Sequence, residues 1–126
     1  MKYINNKFIL KQRPNGMPSH DCWDYISETI ESIDNNEIII ENHYLSIDPY
    51  MRGRMNEGKS YAPPVQIGEI MTGETVGVVI ESKSKIFNVG DKVCAHQGWQ
   101  AYTKCKDSEL SLIKVPDSNL PLSLFL

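Results

Sequence analysis

The stretch Gly73-Glu74-Thr75-Val76-Gly77-Val78-Val79-Ile80-Glu81-Ser82 constrains this chain more than any other. It reads as a strand in which Val76, Val78 and Ile80 share one face, while Gly73 and Gly77 permit curvature or the close approach of another backbone. Such a strand belongs in the middle of a sheet, so the rest of the chain must supply its neighbours.

Several shorter runs can do so. Residues 7–10 form a first strand, and Arg13-Pro14-Asn15-Gly16-Met17-Pro18 then breaks the pattern with two prolines around an Asn-Gly pair. Residues 23–33 and the run Glu37-Ile38-Ile39-Ile40-Glu41 flank Asp34-Asn35-Asn36, which is a hairpin signal. The second of these continues through Asn42-His43-Tyr44-Leu45 without clean alternation, as a strand covered on both faces would. Residues 55–66, with Gly58, Pro63 and Pro64, read as a loop. Gly90-Asp91 turns the chain ahead of a short strand ending at Cys94, residues 99–105 offer another, and Leu112-Ile113-Lys114-Val115 is a last strand stopped by Pro116. Many short strands divided by Gly, Pro, Asn and Asp predict a mainly β barrel or sandwich with little helix. No internal repeat or low-complexity segment interrupts it.

Composition narrows the function classes. A chain of 126 residues supports one core, and 40% hydrophobic with 23% charged residues is the balance of a folded globular domain. The net charge is −3, and the 13 basic residues are scattered rather than clustered, which argues against a nucleic-acid partner. Neither an export signal at the start nor an apolar run long enough to cross a membrane is visible. Cys22, Cys94 and Cys105 form an odd set without C-x-x-C spacing, so reduced thiols and a cytoplasmic location are expected.

The stretch Leu45-Ser46-Ile47-Asp48-Pro49-Tyr50-Met51-Arg52-Gly53-Arg54-Met55 joins a strand to the Gly- and Pro-bearing loop. Asp48 is a good helix N-cap and Pro49 a good first helical residue, so a short capped turn is predicted that points Tyr50, Met51 and Arg52 outward. Side chains at the end of a rigid element commonly meet ligands, although a plain connection is the alternative. Arg52 and Arg54 would meet an anionic group or solvent.

Other chemistry is weakly supported. Residues 68–75 come close to a phosphate-binding loop, but Glu74 stands where a lysine is needed and a strand follows instead of a helix. No G-x-G-x-x-G occurs, so the chain has no sequence signature for holding a dinucleotide by itself. Cys94, His96 and Cys105, with His20, Cys22 or His43, lack the paired spacing of a zinc site, and free thiols with ordinary histidines are expected. Nothing promotes a cysteine nucleophile. Tyr50, Tyr61, Trp99 and Tyr102 would line an apolar pocket or pack within the sheet.

Four ordered motifs then carry a resemblance. They are Asn42 to Met55 as quoted above, Gly68-Glu69-Ile70-Met71-x-Gly73-Glu74-x-Val76-Gly77, Phe87-x-x-Gly90-Asp91-x-Val93, and Gly98-Trp99-Gln100-x-Tyr102. Together with Arg13-Pro14-x-Gly16-x-Pro18 and Pro121-Leu122-Ser123, they make nearly the whole chain resemble the zinc-independent branch of the medium-chain dehydrogenase/reductase superfamily. Its alkenal, prostaglandin and curcumin reductases are the most similar.

That family joins a GroES-like β-barrel catalytic domain to a Rossmann domain. The resemblance implies that residues 1–126 are the first of these alone, with short helical turns, and that residues 120–126 begin a link to a missing cofactor domain. The implied activity of the whole enzyme is hydride transfer from NADPH to the β-carbon of an enone or enal. Pro49, Tyr50, Met51 and Arg52 would lie at the substrate and cofactor cleft, with no catalytic acid or base in this half and no metal, since Gly73 stands where the zinc-dependent branch has a histidine ligand. The chain alone would bind NADPH weakly, be inactive, and self-associate through surface meant for the missing half. The alternatives are a stand-alone β-barrel binding or assembly module, and a zinc alcohol dehydrogenase domain.

Overall fold

The computed structural model describes residues 2–58, 63–116 and 118–126. Tyr61 lies outside the described residues. Among them are seven strands, β1 (Tyr3–Leu10), β2 (Trp23–Ile30), β3 (Glu37–Leu45), β4 (Thr75–Ser82), β5 (Lys92–Ala95), β6 (Tyr102–Lys106) and β7 (Ile113–Lys114), with one short helix, α1 (Tyr50–Arg54). Brief 3-10 turns cover His20–Cys22 and Leu122–Phe125.

β1 and β2 form an antiparallel ribbon, and the other strands form a five-stranded antiparallel sheet in the order β6-β3-β4-β5-β7. β4 sits at the centre, as its sequence requires. A Cβ at Gly77 would lie 2.1 Å from the Glu41 carbonyl oxygen, so the bare glycine is what lets β3 and β4 approach. Val76 and Val79 are both fully buried, so β4 is covered on both faces.

β3 is buried the same way. Ile38 and Ile40 join Val79, Phe87, Val93 and Ala95 in one cluster, whereas Ile39 points to the other side and packs with Ile30 and Ile33. Each of these fully buried isoleucines contributes roughly 2–3 kcal/mol of transfer free energy. Its two neighbours, β4 and β6, leave β3 no free edge. The hairpin expected across Asp34-Asn35-Asn36 is therefore corrected: β2 pairs with β1, and the turn carries the chain from the ribbon to the larger sheet. Asn36 adopts φ 66 there, a left-handed conformation that asparagine tolerates.

β1 closes the barrel. Phe8 donates its N–H to the Trp99 carbonyl at 3.0 Å and accepts from Met71 N–H at 3.0 Å, while Trp99 N–H donates to the Met71 carbonyl at 2.9 Å. These bonds bring the segments before β4 and before β6 together at one end, beneath α1. There Met51 and Met55 enter a cluster with Leu10, Cys22, Val65 and Met71.

Candidate functional site

The turn at residues 48–55 is built differently from the expected cap. The Asp48 carboxylate is occupied by the Ser46 hydroxyl at 2.6 Å, and the first turn is closed by the main chain, with Met51 N–H donating to the Asp48 carbonyl at 3.1 Å. Asp48 is thus not a side-chain cap. Pro49, at φ −57 and ψ −31, is already helical and immediately precedes α1, as its fixed ring favours. The outward orientation expected of Met51 is also corrected, since it is 4% exposed and anchors the helix in the cluster below. Pro49 is exposed, and Tyr50 and Arg52 are half-buried.

Three arginines tie this corner together. Arg13 Nη1 donates to the Met55 and Val65 carbonyls at 2.9 and 3.0 Å, tying those two residues to each other. Arg52 reaches the Gly16 carbonyl through Nε at 3.0 Å and Asn56 Oδ1 through Nη1 at 2.7 Å. Arg54 donates through Nε to the Pro63 carbonyl at 2.9 Å and through Nη1 to Thr72 Oγ1 at 3.0 Å. Arg52 and Arg54 are therefore structural ties rather than free surface cations.

Thr72 and His96 complete the site. The β4–β5 register pairs Thr75 with Ala95, so the residues just beyond that end, including Thr72 and His96, converge. Thr72 Oγ1 is 3.0 Å from His96 Nε2, and the Tyr50 and His96 rings lie 6.5 Å apart, tilted by 30°. A cavity of about 320 Å³ opens here, walled by Pro63, Pro64 and Ile70 and edged with Arg54, Glu69, Thr72, His96 and Gln97. An apolar wall facing convergent polar groups suits a small molecule with an oxygen at one end.

The remaining sequence candidates are dispersed. Tyr50 and Trp99 both pack on the cluster beneath α1, and Trp99 also stacks on Trp23 at 5.0 Å, whereas Tyr102 pairs with Tyr3 at 5.3 Å on another face. Cys22, Cys94 and Cys105 are free thiols. Burial, with Glu74 nearby, pushes the Cys94 thiol up, and burial with Glu109, Glu37 and Asp107 pushes Cys105 up to about 11. Neither is an activated nucleophile. Among the described residues no group of three or more His, Cys, Asp or Glu is placed to hold a metal ion. The sequence carries no signal for Thr72 and singles out His96 only as a metal ligand, because the convergence of residues 54, 72 and 96 is created by strand register.

A mainly β domain of this topology, with a helical turn over a polar-edged cavity at one end, is the GroES-like N-terminal domain of the medium-chain dehydrogenase/reductases. Residues 6–113 match the family described as N-terminal domain of oxidoreductase, and the chain belongs to it. It is 39% identical over 101 residues to the NADPH-dependent curcumin reductase of Escherichia coli (strain K12), covering 80% of this chain and 29% of that protein. It is 35% identical to the 2-alkenal reductase (NADP(+)-dependent) of Nicotiana tabacum, covering 96% of this chain and 36% of that one. CurA from Vibrio vulnificus, solved in complex with NADPH, superposes with a TM-score of 0.79 at 39% identity, covering 86% of this chain and 32% of that chain. The chain thus spans about a third of the length of these relatives.

Proposed function

We propose that this chain is the substrate-side domain of an NADPH-dependent reductase that saturates the C=C bond of α,β-unsaturated aldehydes and ketones. Residues 1–126 form that one domain, and residues 120–126 lead toward a cofactor domain. One observation carries the reading: Tyr50 stands beside His96 and the 320 Å³ cavity, in a chain whose relatives include a curcumin reductase and a 2-alkenal reductase. Pro49, which is exposed, and Tyr50 and Arg52, which are half-buried, would border the cleft, and Met51 holds the turn from below.

NADPH supplies the hydride in such an enzyme. The chain carries no glycine-rich phosphate cradle, so its residues do not fit the dinucleotide by themselves. The chain alone binds NADPH weakly and is inactive, and its contribution is to orient the substrate and exclude water. Zinc has no place in this reading. The position of the zinc branch's histidine is Gly73, and the Trp99 indole occupies the space a side chain would need, with Nε1 only 2.9 Å from a Cβ built there. Three thiols without a disulfide suit a reducing cytoplasm. Leu120, Leu124 and Leu126 expose apolar surface that a cofactor domain would cover and that favours self-association without it.

The test is NADPH oxidation by the protein that carries this chain together with a Rossmann domain, with enones and enals as substrates and saturated carbonyls as controls. Turnover confined to the conjugated substrates is expected. Absence of turnover overturns the activity, and tight saturable NADPH binding by the 126-residue chain overturns its assigned incompetence.

A further inference from the structure

The hydrogen-bond chain at the cavity has a direction fixed by what its members can donate. Arg54 has only donors, so Thr72 Oγ1 must accept from Nη1. The threonine hydroxyl has one proton to give, and His96 Nε2 stands 3.0 Å from the same oxygen. Were Nε2 to carry the ring proton, Thr72 would accept twice and its own proton would lack an acceptor among the described residues. A Thr72 proton on the bond to Nε2 satisfies all three groups with protein partners, and in that arrangement the neutral imidazole is protonated at Nδ1.

The ring is also held in place. His96 N–H donates to Ser111 Oγ at 3.2 Å, and the imidazole flanks Tyr50 at the cavity edge. No partner for Nδ1 is present among the described residues, and His96 is exposed and lines the cavity.

We propose that His96 Nδ1–H is the donor that receives the carbonyl oxygen of the substrate in this cavity, with Arg54 and Thr72 as positioning residues that fix its tautomer. This rests on reading the cleft as a carbonyl-substrate site and deepens that reading. The donor faces the oxygen on which negative charge gathers during reduction, and it keeps its proton throughout. Arg54 is spent on Pro63 and Thr72, so it acts through the relay rather than on the substrate.

Nitrogen NMR of the histidine rings in the 15N-labelled chain tests this at a pH of about 9, where an ordinary imidazole is neutral. The His96 signals are assigned by their loss in His96→Ala. A pyrrole-type Nδ1 and a pyridine-type Nε2 are expected in the native chain. Thr72→Val should relax this toward a mixture of tautomers, and Thr72→Ser should restore it. Cyclohexanone serves as the probe, because it carries the carbonyl without the alkene that would alkylate the thiols. It should shift His96 Nδ1 saturably, with affinity weakened roughly fivefold in Thr72→Val, the worth of one neutral hydrogen bond. A native ring protonated at Nε2 overturns the relay, and this measurement needs no variant to fold. A correct tautomer with no ketone-dependent shift at His96 overturns the donor role. Failure of enone turnover in the full enzyme would instead overturn the reductase reading and would leave the tautomer result standing.

Discussion

The indole of Trp99 fills the place where a side chain at residue 73 would go. A Cβ on Gly73 would lie 2.9 Å from Trp99 Nε1 and 2.9 Å from Leu45 Cδ1. This contact joins two stretches 26 residues apart in sequence, counting from 73 to 99, beside the cluster beneath α1. Trp99 cannot retreat freely, because it stacks on Trp23 and meets Phe8 edge-on at 6.1 Å.

Gly73→Ala should therefore destabilise the chain by about 1–3 kcal/mol, the usual range for overpacking. Gly73→His, which would install the residue of the zinc branch, should cost more and still bind no zinc, since no metal-ligating cluster is gathered among the described residues. Urea unfolding followed by tryptophan fluorescence reads the first effect, and metal analysis of the purified variant reads the second.

Gly77→Ala should be worse. Its new methyl meets backbone, the Glu41 carbonyl at 2.1 Å, and neither central strand can move aside without breaking the β3–β4 ladder. A loss of about 3 kcal/mol or more is expected, visible as a shifted urea midpoint or as insoluble protein.

Tyr50→Phe keeps the ring that packs on the cluster beneath α1 and removes only the hydroxyl. On the proposed reading, kcat/KM for an enone in the full-length enzyme should fall by about fivefold, the worth of one neutral hydrogen bond, while the melting temperature stays within a few degrees. Unchanged kinetics would reduce the turn to a connection.

Cys105 sets a pH dependence whose sign is fixed by its direction of shift. Burial, then Glu109, Glu37 and Asp107, hold the folded thiol at about 11, above its value of 9.0 in water. The unfolded chain loses that proton first, so stability is complete below pH of about 9 and falls as pH rises toward about 11. Cys105→Ala should flatten the decline across that window in urea titrations. Alkylation of Cys94 and Cys105 should likewise be slow in the native chain at neutral pH and fast once it is unfolded.

Much of the molecule is legible in the sequence because it is local. The valine-rich run of β4, the isoleucines of β3, the Gly90-Asp91 turn and the stop at Pro116 state their own conformations, and together they select a mainly β domain. The resemblance in residues 42–55 and 98–102 directs attention to the corner beneath α1. Asp48 fails as a cap because Ser46, two residues away, offers its carboxylate a hydroxyl first. The hairpin at residues 34–36 does not form because a turn signal says that the chain reverses, not which strand it will pair with.

By itself, then, the sequence determined the fold class, the family, the central place of β4 and a short helical turn after Asp48, all properties of short-range geometry and pattern. Only the tertiary structure decided that β2 pairs with β1, that Met51 turns inward, and that Arg54, Thr72 and His96 form one hydrogen-bonded line beside Tyr50. The physical reason is common to all three. Strand register and competition for buried surface are settled between segments far apart in the chain, and no single segment encodes the outcome of that competition.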